Sequence, residues 1–196
     1  RTRPCPGAEA DGSWTLCRAS PLGAGGEMGL SSQQEEKPWG CLEAEHQGDL
    51  AAVGIDLGTS YTRMGIWKQG DVHLIPNERG ELKTPSCIAF SDEGVLFGEE
   101  AVEQAEEGSE CTVFAPQRLV GFKSCDHPCV RMYMRTWPSR LVRGEDGTPV
   151  IRVLSKGEEH RLRPEDILTM LLVHLRKVAE SHLGKTVLDA VITVPS

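Results

Sequence analysis

From residue 51 onward, short β-branched and apolar runs alternate with breaks marked by glycine or proline, and one later stretch repeats at intervals of three and four. Residues 52–57, Tyr61–Lys68 and Asp71–Ile75 read as three strands. The links between them, Gly58-Thr59-Ser60 and Gln69-Gly70, are short enough to make an antiparallel meander. Asn77-Glu78-Arg79-Gly80 reads as a turn, and Thr84 is extended because a residue before proline is pushed out of the α region. Cys87–Phe90 and Val95–Phe97 follow as a fourth and fifth strand, and 99–106 as a short acidic helix with a solvated face. Residues 113–121 begin extended and then turn through a short helix ending at Gly121, while 123–135 is a surface loop or a helix. Residues 141–143 and 150–154 flank Gly144-Glu145-Asp146-Gly147 as a hairpin would, with 160–162 as a further strand.

The clearest helix starts at Pro164, with Glu165 and Asp166 at its positive end and Gly184 as its stop. Ile167, Leu168, Leu171, Leu172, Leu175, Val178 and Ala179 form one apolar stripe along it. Residues 187–194 make a final strand, apolar enough to predict burial on both faces. A meander, an inserted mixed segment, then an amphipathic helix feeding an apolar strand is the layout of half an α/β domain.

Residues 1–50 differ in kind. They hold no sustained period, and runs such as Gly23-Ala24-Gly25-Gly26 bury too little to offset backbone entropy. The expectation is a disordered or unrelated extension at 1–50 and the folded unit at 51–196. A Glu- and Gln-rich helix over 32–45 is the exception considered, and Trp14 and Trp39 read as incidental exposed aromatics. The chain opens on Arg1 without methionine and stops at Ser196 just after an apolar strand, which predicts a piece of a longer polypeptide.

Net charge of −8 with no basic run argues against a nucleic-acid or anionic-membrane surface. No apolar run is long enough to span a bilayer, and 1–20 lacks the apolar core of a signal peptide, so the expectation is a soluble protein of the cytoplasm or nucleus. Seven scattered cysteines do not make a disulfide framework. Cys125-Asp126-His127-Pro128-Cys129 is the one cluster with a metal-like look, but a tetrahedral zinc site needs four ligands and no second pair stands at suitable spacing. Reduced thiols are the simpler reading.

The chemistry concentrates in Gly54-Ile55-Asp56-Leu57-Gly58-Thr59-Ser60-Tyr61. Gly58 lets the backbone approach a ligand closely, and the amides and hydroxyls that follow can serve as donors to an anion such as phosphate. Asp56 beside them can orient the water shell of a hard divalent cation. An ordinary hairpin with an aspartate before its turn accounts for the same letters.

This stretch resembles the first phosphate motif of the 70-kDa heat-shock protein family, whose ATPase domain shares the actin and sugar-kinase fold. Matches follow in the same order: Thr84-Pro85-Ser86 with Ile88-Ala89-Phe90, Thr112-Val113-Phe114 with Arg118-Leu119-Val120-Gly121, and Trp137-Pro138. Then come Pro164-Glu165-Asp166, Leu183-Gly184-Lys185-Thr186-Val187 and Ala190-Val191-Ile192-Thr193-Val194-Pro195-Ser196. A sugar or small-molecule kinase shares the Asp-x-Gly-Thr turn, but the co-linear matches weigh against it. The resemblance implies an α/β, actin-like (ribonuclease H-like) ATPase fold, first half only, with an inserted small α/β subdomain.

It also implies roles. Gly58, Thr59, Ser60 and Tyr61 would hold the phosphates of ATP or ADP, Asp56 would orient the water around Mg²⁺, and Pro195 would relay nucleotide state. Arg118 and Trp137 would be architectural. Partners would be unfolded or nascent polypeptides and co-chaperones, in a full-length form. One position departs from the family: before Arg118-Leu119-Val120-Gly121, where the family has a lysine that stabilises transferring charge, stands Gln117. The resemblance therefore implies either a chaperone ATPase with crippled hydrolysis or a regulatory member that binds nucleotide without turnover. The family's second half and peptide-binding domain have no counterpart in these residues, which predicts exposed apolar surface on the half-fold.

Overall fold

A computed structural model describes residues 15–18, 50–107, 111–137 and 140–194, the first four as backbone alone. The meander forms as expected: β2 (Leu50–Leu57), β3 (Tyr61–Lys68) and β4 (Asp71–Ile75) pair antiparallel in sequence. The last strand, β12 (Thr186–Val194), lies parallel to β2 on its other side, a pairing that needs a long crossover. That crossover ends in α3 (Pro164–Leu183), capped by the Arg163 amide donating to the Asp166 carboxylate and closed by left-handed Gly184. A two-residue strand, β5 (Thr84–Pro85), joins the far side of β3 at the end nearest Gly58.

Two smaller sheets are inserted. In one, β6 (Cys87–Phe90) is flanked by β7 (Val95–Phe97) and β8 (Thr112–Phe114), with α1 (Gly98–Glu106) against it. In the other, β10 (Pro149–Ser155) lies between β9 (Arg140–Arg143) and β11 (Glu158–Leu162). The undecided 123–135 segment is helical from α2 (Pro128–Thr136) onward: Pro128 occupies its first turn and His127 accepts the Cys129 amide hydrogen bond. No group of three or more His, Cys, Asp or Glu among the described residues could hold a metal ion. Cys125 is buried with its thiol directed at the Val142 carbonyl.

One core joins these parts. Val53, Ile55, Leu57, Met64 and Ile75 from the main sheet pack with Ile167, Leu171, Leu175, Val178 and Ala179 of α3, and with Ile88, Val113 and Ile151 from the inserted sheets. Each fully buried aliphatic side chain contributes about 1.5–3 kcal/mol over exposure, so this cluster is the main stabilising element. The opposite face of the main sheet is a correction to the sequence expectation. Val191 and Leu188 of β12 are 43% and 45% exposed, and Trp67, Val72 and Leu74 stand open on the same side of the meander or at its edge. The helix α3 covers one face of the sheet only, and an apolar run reads alike whether one or both faces are covered. Apolar surface is thus exposed, as expected of the half-fold.

The expectation of irregular chain over 1–50 meets a short strand, β1 (Thr15–Arg18), antiparallel to the outer edge of β12. Backbone pairing at an open edge needs no side-chain period, so the sequence carries no sign of it. Trp14, Trp39, the 32–45 helix and Pro195 lie outside the described residues.

His174 of α3 stacks flat on Phe97 at 4.2 Å, with the Glu78 carboxylate 3.6 Å away. Burial lowers its pKa below the ordinary 6.5, against the upward pull of Glu78 and Glu100 and with a smaller downward push from Lys177. The unfolded chain therefore takes up a proton near pH 6.5 that the folded chain still refuses, and stability present above that pH declines as pH falls below it. The urea midpoint should drop more between about pH 7 and about pH 5.5 in the parent chain than in His174→Phe, which keeps an aromatic ring on Phe97. Equal declines would show that His174 carries no such linkage.

Candidate functional site

The link between β2 and β3 is built around one carbonyl. Gly58 O accepts hydrogen bonds from Ser86 Oγ at 2.7 Å and from Gln117 Nε2 at 2.6 Å. Ser86 also donates its amide to Ser60 O at 2.9 Å and accepts the Ala115 amide on its own carbonyl at 2.8 Å. Its hydroxyl proton is committed to Gly58, so Thr62 Oγ1, 2.9 Å away, is the donor of that pair. Thr62, Ser86 and Gln117 are all buried. This buried chain fixes the direction of the turn. A trans peptide places the N–H opposite the C=O, so pinning Gly58 O toward Ser86 and Gln117 aims the Thr59 amide the other way.

What it aims outward is unpaired. Thr59 and Ser60 are exposed, and neither their amides nor their hydroxyls have a partner among the described residues. A Cβ at Gly58 would sit 2.4 Å from Tyr61 O, so glycine is required there by close approach. The result is a short exposed arc of backbone and hydroxyl donors unpaired among the described residues.

Asp56 lies beside this arc, with its carboxylate half exposed. It accepts from Thr193 Oγ1 at 3.1 Å, and Thr193 Oγ1 in turn accepts the Leu57 amide at 3.0 Å, tying the ends of β2 and β12 together. Arg63 stands 3.9 Å from the other carboxylate oxygen. Lone pairs remain on both oxygens, which suits a carboxylate that orients metal-bound water.

Gln117 reaches the turn because Ala115 adopts a left-handed conformation, φ 46° and ψ 53°, at the head of the single 3₁₀ turn Pro116–Arg118. A left-handed alanine costs about 1–2 kcal/mol, offset here by the bond to Ser86 and the burial of Pro116 and Gln117. With Nε2 committed to Gly58, Gln117 Oε1 is left buried with no partner among the described residues. A lysine in this position would bring a charge; glutamine brings a dipole, half of it already used.

Gly58, Thr59, Ser60, Tyr61, Asp56 and Gln117 thus lie together, whereas Pro195 lies outside the described residues. Sequence reasoning gave no role to Ser86, Thr62 or Thr193. The available signal was a serine heading the wholly buried run Cys87–Phe90, where a polar side chain must find a hydrogen-bond partner. Two surface concavities, one lined by Glu180, Gly184, Lys185 and Thr186 and one by Asp126, Arg131 and Arg135 among others, lie away from this turn. No helix among the described residues is long and apolar enough to cross a membrane.

Residues 52–196 match the protein family described as Hsp70 protein. A heat shock cognate HSP70 protein of Trypanosoma brucei brucei is 43% identical over 145 residues, 74% of this chain and 21% of that protein. The putative heat shock 70 kDa protein 7 of Homo sapiens is also 43% identical over 145 residues, 74% of this chain, with 39% of that protein covered. The heat shock 70 kDa protein of Trichophyton rubrum is 42% identical over 145 residues, 74% of this chain and 22% of its own length. The chain spans between about a fifth and two-fifths of these relatives. Its main sheet, helices and inserted sheets are accordingly part of the actin-like α/β ATPase fold, and the chain belongs to the Hsp70 family of heat-shock chaperones.

Proposed function

We propose that this chain carries the first phosphate-binding wall of an ATP- and ADP-binding chaperone, and that Gln117 makes it a poor catalyst of hydrolysis. The observation that carries the reading is the Gly58 turn: two exposed residues whose donors are unpaired among the described residues, on a link held by a buried network. Donors preset in this way lose little on ligand binding and need no reorganisation.

In the proposed site, Thr59 and Ser60 donate amides and hydroxyls to the phosphates, and Tyr61 closes the arc. Asp56, steadied by Thr193, would hold the hydrated Mg²⁺, which supplies charge neutralisation at the phosphate oxygens when bound. By the family resemblance Gln117 would stand where a transferring phosphoryl group needs electrostatic stabilisation and would offer no charge; its amide bonds Gly58 O instead. Binding and hydrolysis are thereby separated: the turn is complete without a cation at 117, and the chemistry is not. Pro195, which follows β12 in the sequence, would pass nucleotide state onward. Clients would be unfolded or nascent polypeptides, with co-chaperones as regulators, in the cytoplasm or nucleus. A regulatory family member that binds nucleotide without turnover is the second reading, and Gln117 is what favours it.

Two outcomes are expected in a full-length polypeptide carrying this chain. Gly58→Ala should weaken ADP and ATP binding in calorimetric titration by about tenfold to a hundredfold, as its Cβ forces the turn open. Undiminished affinity would remove the turn from the site. In single-turnover assays Gln117→Lys should raise the rate of ATP hydrolysis on the order of a hundredfold. A family-like rate with Gln117 in place, unchanged by the lysine, would show that residue 117 does not limit the reaction.

A further inference from the structure

Lys83 lies beside Tyr61, the residue with which the strand after the turn begins. Its backbone is fixed on both sides: Asn77 Nδ2 donates to its carbonyl at 3.2 Å, and the next residue, Thr84, opens β5 opposite Thr62. Its ammonium lies 4.3 Å from the centre of the Tyr61 ring. No carboxylate among the described residues pairs with it, whereas Arg63, the neighbouring cation, is already beside Asp56. Tyr61 directly follows the unpaired donors of Thr59 and Ser60. Thr84 is buried with Thr62, so Lys83 and Tyr61 project to the opposite, open side of the β3–β5 pairing, the side that carries Asp56.

We propose that Lys83 is a phosphate-binding residue of this chain, supplying to an anion at the Gly58 turn the positive charge that Gln117 does not. A lysine held over an aromatic face at a solvent-exposed edge is retained weakly, so its flexible stem can exchange the ring for a charged oxygen. An ammonium–phosphate hydrogen bond is charge-assisted and outweighs that contact. The ligand class is a nucleoside di- or triphosphate. Lys83 reaches the turn from the β5 side and Gln117 from the 3₁₀ turn, so the cation binds phosphate without taking over the position of residue 117. Affinity is thereby raised and hydrolysis is not restored. This inference rests on the nucleotide-binding reading above.

The test is titration of ADP and of ATP, each with Mg²⁺, into the full-length protein and its Lys83→Met, Lys83→Arg and Gly58→Ala variants. Circular dichroism and melting serve as the measure of fold. Lys83→Met should weaken both nucleotides about tenfold at low salt with an unchanged melt, Lys83→Arg should restore most of the affinity, and the deficit should shrink as salt is raised. Unchanged affinity in Lys83→Met while Gly58→Ala abolishes binding overturns the role of Lys83 and leaves the nucleotide site standing. A deficit that persists equally at high salt, or that Lys83→Arg fails to restore, also overturns it. Failure of the parent protein to bind either nucleotide overturns both.

Discussion

The candidate site depends on where one carbonyl points. Gly58 O is held from two directions by Ser86 and Gln117, and the planarity of the peptide turns that restraint into an outward-facing amide at Thr59. Remove the restraint and the link between β2 and β3 is an ordinary hairpin connection. The three groups come from segments far apart in sequence, so the turn can form only when the main sheet, the start of β6 and the 3₁₀ turn are docked. Assembly of the turn thus depends on that docking, which the core beneath the meander supports.

On the proposed reading, the chain separates holding a phosphate from cleaving one. In that reading the backbone donors and the carboxylate for hydrated metal need no charge at 117, only a hydrogen-bond donor to Gly58 O. A charge opposite a reacting phosphoryl group would be a side-chain property, and Gln117 does not supply one. Gln117 has been drawn into the scaffold: its amide nitrogen supports the turn, while its oxygen is buried without a partner among the described residues. An unsatisfied buried acceptor costs about 1–3 kcal/mol, so this packing is tolerated rather than optimal. Apolar exposure on the outer face of the sheet, at Trp67, Val72, Leu74 and Val191, belongs to the same half-fold, whose helix covers only one side.

Much of the architecture was legible in the residues. Strands β3 and β4 are bounded by glycine turns, the α3 stripe is periodic, and Pro164 and Gly184 mark its ends, so local rules sufficed. The helix α2 was not legible, because Pro128–Thr136 mixes arginine and methionine around a single buried residue, Val130, and shows no stripe. The exposure of Val191 was not legible either, since hydrophobicity does not say which neighbour is present. At the site, Gly58, Thr59, Ser60 and Asp56 stood out because they are contiguous. Gln117 was flagged only through family resemblance, and its bond to Gly58 spans 59 positions, beyond any local pattern. Ser86 and Lys83 were missed because a buried serine and an exposed lysine look ordinary until the strands that carry them are placed.

The most direct measurement is the amide spectrum of the ¹⁵N-labelled full-length protein during titration with ADP and Mg²⁺. If the Gly58 turn is the phosphate site, the largest shifts fall on the amides of Thr59, Ser60 and Tyr61, and Gly58→Ala removes them. Saturable binding that leaves those three amides unmoved, with shifts centred elsewhere, would contradict the account.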